Sequence, residues 1–243
     1  MAPALPRIAF FHGGGSNSTI SEIQCSPTAH ALRNEYEFVF FDAPFERSAG
    51  PEVLPAFRDE IYQPYRSWFT SPNGIELTDG SGFESSGMME EDGIDRVWDM
   101  MRQKGGNWVA AMGFSQGTRV VGGLLLDQQR RKEAGLFRNG DIDLQFGVLC
   151  MGGGAPMVSS ISRDGSNKLD LIKVPTLHLH GTIDPNYQRG KEQFKTYYDP
   201  QHSAAIEIEY RHAMPWKKSD VEKFVQCIRK IAGFVPVQEK RGW

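Results

Sequence analysis

The sequence predicts an α/β protein: a doubly wound, mostly parallel sheet of about six strands, with helices on both faces. Three observations predict it. Short apolar runs alternate with helical patterns along the chain, as in βαβ units. The 243 residues, 40% of them hydrophobic, are enough for one large core. A serine between two glycines stands where one apolar run meets a helical pattern.

Each element rests on such a pattern. An apolar run between polar turn residues predicts each strand, and these runs are Arg7–Phe11, Glu37–Phe41, Trp108–Met112, Gln145–Met151, Pro175–His180 and Ala205–Tyr210. Apolar residues three and four apart predict helices over Ser21–Arg33, Glu90–Gln103, Thr118–Gln129, Tyr187–Tyr197 and Lys218–Ile231.

We expect one domain over residues 1–243 with an insertion at about 42–89, which is too long for a simple connection. Its first half carries six aromatic residues, and we expect it to pack near the catalytic cleft. These residues are Phe45, Phe57, Tyr62, Tyr65, Trp68 and Phe69. Its second half, 71–87, is rich in Gly, Ser and acidic residues, which predicts an exposed loop. The insertion is therefore expected to be lid-like or to line the pocket.

The run Gly113-Phe114-Ser115-Gln116-Gly117 predicts a nucleophile elbow. A sharp turn from strand to helix strains the serine backbone and leaves no room for side chains two positions to either side, so glycine is needed at both. With 26 glycines in the chain the pattern alone is weak. The strand before it and the helix after it supply the required context, whereas a plain Gly-rich turn would leave the partners below unexplained.

A serine nucleophile needs a histidine to take its proton and an acid to orient that histidine, in the chain order Ser, acid, His for this fold. Asp184 follows a predicted strand and a Gly-containing turn, at the sheet edge where α/β proteins gather ligand chemistry. It could instead be only a turn or helix cap. The rival acids Asp164 and Asp170 do not follow a strand end.

His212 is the predicted base, because it follows the last predicted strand and Pro215 would stiffen the turn after it. The chain has six histidines. His178 and His180 lie within a strand, where a histidine is usually structural. His202, in the loop before the last strand, is the runner-up.

The oxyanion of acyl transfer needs backbone donors, typically the amide after the nucleophile and one from the loop after the first central strand. Gln116 and Gly14 are predicted to supply them, the latter from the run His12-Gly13-Gly14-Gly15-Ser16. That run lacks the Gly-Lys-Ser/Thr ending of a phosphate loop, which disfavours nucleotide binding. A second run, 152–154, is either backbone that makes space beside the pocket or a plain turn.

Composition excludes several function classes. A net charge of −3 with no large Lys/Arg cluster argues against nucleic acid as a partner. Three well-separated cysteines suggest neither disulfides nor a zinc site, and we expect no metal or cofactor. The first apolar run is too short for a signal peptide or a membrane span, so we expect a cytoplasmic protein that does not act at membranes.

With these residues placed, the chain resembles the fungal family of small α/β-hydrolase-fold serine hydrolases, which includes yeast intracellular hydrolases and esterases or thioesterases of polyketide gene clusters. The resemblance covers essentially the whole chain. Besides the serine and glycine motifs above, it rests on runs that begin at Phe41, Tyr65 and His180, and on His212 with Pro215. Arg211 is a departure, because related hydrolases often have glycine before the histidine.

The resemblance implies that Ser115, Asp184 and His212 form a triad and that Tyr65 to Phe69 border the substrate pocket. It implies a small acyl ester or thioester as substrate. It also implies an enzyme that releases or trims a polyketide acyl chain from an acyl carrier protein. Trp68, Phe69 and Trp216 suggest an apolar or aromatic acyl group, although core packing would explain them equally well. The alternatives are a general intracellular carboxylesterase and, from another class, a non-catalytic binding protein on a hydrolase fold.

Overall fold

The computed structural model describes residues 4–50, 53–69, 93–163 and 170–233. The strands are β1 (Arg7–Phe11), β2 (Glu37–Phe41), β3 (Phe45–Arg47), β4 (Tyr65–Ser67), β5 (Trp108–Phe114), β6 (Phe146–Cys150), β7 (Thr176–Gly181) and β8 (Ser203–Ile208). The helices are α1 (Ser18–Leu32), α2 (Gly93–Lys104), α3 (Gly117–Glu133), α4 (Tyr187–Tyr197) and α5 (Lys218–Gly233).

The main sheet has six strands in the order β2-β1-β5-β6-β7-β8, and all neighbours pair in parallel. Successive residues of a strand face opposite sides of a sheet. Ile8 and Phe10 accordingly pack in the hydrophobic cluster that contains α1 and α5, whereas Ala9 and Phe11 pack in the one that contains α2 and α3. The predicted doubly wound α/β sheet is confirmed.

The last helix shows what holds these layers together. The buried side chains of α5 recur three and four residues apart, and they are Val221, Phe224, Val225, Ile228 and Ile231. Each side chain of this size stabilises the fold by roughly 1.5–3 kcal/mol when fully buried. The same periodicity predicted the helix. Among the described residues, no helix is both long and apolar enough to span a bilayer.

The described part of the insertion forms a small antiparallel hairpin of β3 and β4, which the sequence did not predict. The hairpin docks on the loop after β1, because Gly15 N–H donates to the Arg66 carbonyl (2.8 Å) and Arg66 N–H donates to the Ser16 carbonyl (2.7 Å). Its strands are only three residues long, too short for a clear periodic pattern. The predicted loop 71–87 and helix residues 90–92 lie outside the described residues.

Helix and strand bounds otherwise differ from the predictions by a few residues. The largest difference is at α3, which ends at Glu133 rather than Gln129. The helix α1 begins at Ser18 rather than Ser21. The Asn17 side chain accepts a hydrogen bond from Ile20 N–H (2.9 Å), and such a cap starts a helix at that point.

Candidate active site

Ser115 stands on a strained turn between β5 and α3. Its φ of +51° lies in the left-handed region, which residues other than glycine rarely adopt. Ser115 N–H donates to the Cys150 carbonyl (2.9 Å), and the Ser115 carbonyl accepts from the backbone N–H (3.0 Å) and the hydroxyl (2.7 Å) of Thr118. These bonds hold the strained backbone and fix the position of the serine at the sheet edge.

The two flanking glycines are required by close backbone contacts. A β-carbon at Gly113 would lie 2.3 Å from the Gly117 carbonyl oxygen. One at Gly117 would lie 2.0 Å from the Phe11 carbonyl oxygen. Both distances are far inside van der Waals contact, so neither position has room for any other residue. This is the geometry that the five-residue pattern predicts.

Asp184 and His212 meet at the same edge of the sheet, from the loops after β7 and β8. The His212 Nδ1–H donates to Asp184 Oδ2 over 2.8 Å, and the two side chains are only 12% and 1% exposed. Asp184 Oδ1 also accepts from Asn186 N–H (2.8 Å). With Nδ1 donating to the carboxylate, Nε2 is the nitrogen left to accept a proton. The imidazole packs on Phe114, the residue before Ser115, with ring centroids 4.9 Å apart.

The rival residues lie elsewhere or are occupied. Asp170 is bound to an arginine of α3, and Asp164 lies outside the described residues. His202 precedes β8 and so lies at the opposite sheet edge from Ser115. His178 and His180 are buried in β7, and burial lowers the pKa of each imidazole, so both stay neutral at neutral pH.

His12 holds the glycine loop after β1. Its Nδ1–H donates to the Gly13 carbonyl (2.7 Å), and its Nε2 accepts from Ala43 N–H (3.0 Å). Burial lowers the pKa of His12 to about 4, so the ring is neutral and both nitrogens are used. Because the peptide unit is planar and trans, fixing the Gly13 carbonyl also fixes the opposite direction of the Gly14 N–H. The Ala43 contact gives a physical role to the run that begins at Phe41.

The two predicted oxyanion donors have amides that are not used by the backbone. Gln116 is the N-cap of α3, and amides at a helix start have no acceptor within the helix. Within the described residues, neither the Gln116 nor the Gly14 N–H donates to a backbone carbonyl, whereas those of Gly15 and Ser115 do. Gly13 places this loop against the nucleophile, since a β-carbon there would lie 3.2 Å from the Ser115 β-carbon.

The Gln116 side chain joins the insertion to the elbow. Its Oε1 accepts from Trp68 N–H (2.9 Å), and its Nε2 donates to Ser67 Oγ (2.9 Å). The Ser67 hydroxyl in turn donates to the Phe69 carbonyl (2.7 Å). The end of β4 is therefore fastened beside the nucleophile by a glutamine side chain for which the sequence predicted no role.

The four predicted substrate-binding residues have different surroundings. Tyr65 is buried and its hydroxyl donates to the Phe57 carbonyl (2.6 Å), while Trp68 is buried and donates its indole N–H to the His12 carbonyl (2.9 Å). Phe69 lies under the Arg119 guanidinium, 4.3 Å from its carbon to the ring centroid. Trp216 is 59% exposed and packs on Tyr210. A substrate-binding role for each of the four stays a prediction.

A shallow cleft opens beside the nucleophile. The described residues that line it are Ser115, Gln116, Arg119, Met151, Gly152, Gly153, Asn186 and Arg189. The second glycine run thus borders the cleft, which favours the space-making interpretation. The two arginines, Met151 and Asn186 were not predicted. Arg119 carried a usable signal, because it lies in the first turn of the helix that follows the nucleophile.

The two fully buried cysteines are not a second reactive centre. Cys25 and Cys150 are buried free thiols, and burial raises the pKa of both, that of Cys25 to about 12. A protonated buried thiol is a poor nucleophile. No group of three His, Cys, Asp or Glu side chains within these ranges could hold a metal ion.

The parallel sheet with a strained serine at its edge is the architecture of the α/β hydrolases, and solved structures of that class superpose on it. The structure of SOBER1 from Arabidopsis thaliana covers 94% of this chain and is itself covered completely, with a TM-score of 0.55 and 19% identity. Acyl-protein thioesterase 2 from Zea mays has a TM-score of 0.54 and 14% identity, with 95% of each chain covered. At these identities the likeness establishes the fold alone.

The chain belongs to the serine hydrolase (FSH1) family, whose model matches residues 1–224. Esterase citA of Monascus ruber is 33% identical over 255 residues, covering 94% of this chain and 92% of citA. Esterase claE of Penicillium crustosum is 31% identical over 251 residues, covering 94% of this chain and 93% of claE. The predicted family and enzyme class are confirmed: the protein is a serine hydrolase with esterases as its relatives.

Proposed function

We propose that this serine hydrolase cleaves an acyl ester or thioester through an acyl-Ser115 intermediate, with Asp184 and His212 completing the triad. One observation carries the assignment. Two loops 28 positions apart bring a buried carboxylate to 2.8 Å from an imidazole, and that imidazole packs on the residue before a strained serine. A carboxylate that fixes the tautomer of a histidine beside a serine is the arrangement that activates a hydroxyl group.

In the acylation step, the Ser115 oxygen attacks the carbonyl carbon while His212 Nε2 takes the hydroxyl proton. The positive charge that develops on the imidazole is stabilised by Asp184, which stays ionised. The tetrahedral intermediate collapses when the bond from carbon to the leaving oxygen or sulfur breaks. His212 returns its proton to that leaving group, and the acyl group stays on Ser115.

The negative charge of the tetrahedral intermediate falls on the former carbonyl oxygen. The amide N–H groups of Gly14 and Gln116 are proposed to donate to it, and His12 directs the first of them through its bond to the Gly13 carbonyl. Preorganised donors cost no reorganisation at the moment of reaction, and one such donor is worth about 10²–10³ in kcat.

Water then completes the cycle. His212 Nε2 takes a proton from the water, whose oxygen attacks the acyl carbon of acyl-Ser115. The second tetrahedral intermediate expels the serine oxygen, which recovers its proton from His212. The products are a carboxylic acid and free enzyme, so no cofactor is needed to balance the reaction.

The proposed acyl group is a polyketide chain, and an acyl carrier protein of a polyketide synthase is the proposed partner. The resemblance to esterases and thioesterases of polyketide clusters supports both proposals. The Phe69 ring, which packs against Arg119 in the wall of the cleft, is an aromatic group close to the site. A cytoplasmic location is proposed with them, since carrier-bound intermediates are made inside the cell. A general carboxylesterase would use the same triad on free esters.

A fluorophosphonate probe tests the assignment of the nucleophile. The wild-type protein should be labelled once per chain, and Ser115→Ala should not be labelled. Ser16→Ala is the matched control, because Ser16 is also a buried serine at the same edge, and its labelling should equal that of the wild type. Undiminished labelling of Ser115→Ala would remove Ser115 from the mechanism.

Matched substrates test the proposed acyl donor. The same hexanoyl group is presented on a carrier protein of a polyketide synthase, on pantetheine and as the ethyl ester. Higher kcat/KM for the carrier-bound thioester supports release from a carrier. Equal or higher kcat/KM for the ethyl ester favours the general carboxylesterase.

A further inference from the structure

Three arginines approach Ser115 and Gln116 from three separate elements. Arg47 lies at the end of β3, Arg119 in the first turns of α3 and Arg189 in the first turn of α4. Positive charge is concentrated here although the chain as a whole carries a net charge of −3. Esterolysis by Ser115, Asp184 and His212 does not require any of the three.

Arg47 reaches the loop that is proposed to hold the oxyanion. A β-carbon at Gly14 would lie 3.1 Å from Arg47 Nη1 and 3.2 Å from Gln116 Nε2, so the guanidinium borders the same point as the residue after the nucleophile. Arg47 Nε is buried and has no hydrogen-bond partner among the described residues. A buried donor that lacks a partner costs free energy unless a ligand supplies an acceptor.

Arg119 is held rigidly in the wall of the cleft. It is buried, its Nε–H donates to the Ala155 carbonyl (2.7 Å), and its guanidinium lies over the Phe69 ring at 4.3 Å. A guanidinium that is already held by a backbone hydrogen bond and an aromatic ring loses little additional conformational freedom when it binds an anion. Arg119 also lines the same cleft as Ser115, beside the reacting group.

Arg189 completes the opposite wall. Arg189 is half-buried on α4, and a β-carbon at Gly153 would lie 3.0 Å from the β-carbon of Arg189. The glycine run thus lets the arginine side chain stand directly against the cleft. The described residues that line this cleft include Arg119 and Arg189 but no aspartate or glutamate. Asp184 is close to Arg189 in the sequence, but its two carboxylate oxygens already accept hydrogen bonds from Asn186 and His212.

We propose that Arg47, Arg119 and Arg189 form an anion-recognition site beside Ser115, so that the preferred substrate carries a carboxylate or a phosphate in addition to its scissile ester or thioester bond. The proposal rests on the proposed function, because it places the anion relative to an ester bound at Ser115. Guanidinium groups bind carboxylate and phosphate oxygens with paired, charge-assisted hydrogen bonds. The carboxylate would belong to the acyl chain, and the phosphate to the phosphopantetheine arm of a thioester.

Two substrate pairs distinguish these sources. The first compares p-nitrophenyl hydrogen adipate with p-nitrophenyl hexanoate, which have acyl chains of equal length and differ by a terminal carboxylate. The second compares hexanoyl-4′-phosphopantetheine with hexanoyl-pantetheine, which differ by a phosphate. The quantity measured is the ratio of kcat/KM for the charged substrate to that for the neutral one.

In the wild type the ratio should favour the charged member of one pair. Arg47→Gln and Arg189→Gln should each lower that ratio by about 10-fold, mainly through KM, because each removes a charge-assisted hydrogen bond. Arg189→Lys keeps the positive charge and should therefore retain part of the wild-type ratio. Arg138→Gln, on an exposed loop after α3, is the matched control and should keep the wild-type ratio.

If the arginine variants lower the ratio in the adipate pair, the anion belongs to the acyl chain. If they lower it in the pantetheine pair, the anion belongs to the leaving thiol. A wild type that prefers the neutral member of both pairs, or variants that lower both members equally, would overturn the anion site while leaving the esterase intact. A protein that hydrolyses none of the four substrates and resists the fluorophosphonate would defeat the proposed function together with this inference.

Discussion

His12 and His212 are two histidines in two loops at the same edge of one sheet, and only one of them is suited to proton transfer. Both follow a parallel strand, and both lie close to the elbow. His12 is completely buried and both ring nitrogens are bound by backbone groups. His212 is 12% exposed, and its Nδ1 is bound by a carboxylate.

The partners of an imidazole therefore decide its role more than its position does. Burial lowers the pKa of His12 to about 4, although the bond to the Gly13 carbonyl acts in the opposite direction. The Ala43 N–H donates to Nε2 and therefore favours the neutral ring. Asp184 is proposed to supply the negative charge that stabilises an imidazolium at His212. His12 is therefore a positioning residue for the glycine loop, and His212 is the proposed base.

Replacing the base is expected to have the largest effect. His212→Gln should lower kcat for an activated ester by at least about 10⁴-fold, because nothing else takes the serine proton. The measurement is the steady-state rate, with circular dichroism to show that the fold is kept. His202→Gln, at the opposite edge of the sheet, is the control and should retain wild-type kcat. A rate for His212→Gln within about 10-fold of the wild type would rule out His212 as base, because a general base contributes more than that.

Changing the charge beside His212 should have the next largest effect. Asp184→Asn is expected to lower kcat by about 10³–10⁴-fold, because an amide favours the wrong tautomer and does not stabilise the imidazolium. Asp170→Asn removes a carboxylate that pairs with Arg130 and should leave kcat near wild type. If the two variants lose activity equally, the loss is due to folding and the comparison of the two loops fails.

Replacing the positioning histidine should have a smaller effect. His12→Gln removes the bond from Nδ1 to the Gly13 carbonyl, which loosens the Gly14 N–H, and kcat should fall by about 10–10²-fold. Because the proposed base is untouched, the shape of the pH profile of kcat should remain that of the wild type. If kcat of His12→Gln no longer rises with increasing pH, His12 itself transfers the proton.

The pH dependence of stability should show the smallest effect. The folded pKa of His12 is lowered to about 4, so the unfolded chain takes up the proton first as the pH falls below its ordinary value of 6.5. The contribution of neutral His12 to the free energy of unfolding is complete above pH 6.5 and is lost progressively as the pH falls toward 4. Between pH 7 and 5.5 His12 alone should lower the free energy of unfolding by about 1 kcal/mol.

Urea unfolding at the two pH values measures this loss, and the difference between them should shrink in His12→Gln. His178 and His180 act in the same direction, because burial lowers the pKa of each. An equal difference in the variant and the wild type would show that His12 is not buried in its neutral form.

The sheet and the elbow could be predicted because each depends on local sequence. Apolar runs marked all six strands of the main sheet, and the need for room at Gly113 and Gly117 is a property of five consecutive residues. Asp184 and His212 could be proposed because parallel strands bring their carboxyl ends to one edge. These inferences need only the order of the elements.

The hairpin and the arginines could not be predicted because they depend on contacts between distant segments. β3 and β4 are too short for periodicity, and their docking rests on backbone bonds between Gly15, Ser16 and Arg66. Nothing in the sequence near Arg47 or Arg189 indicates that either lies beside Ser115. The role of His12 as a backbone clamp depends on Ala43, which is 31 positions away.

The most direct test is to find where the acyl group is during turnover. The enzyme is mixed with an activated ester, quenched in acid within the first turnover, digested with trypsin and analysed by mass spectrometry. The acyl mass should be found on the peptide spanning residues 105–119, at Ser115. Continued hydrolysis with no acyl adduct, or an adduct on a different residue of a catalytically competent enzyme, would contradict the proposed mechanism.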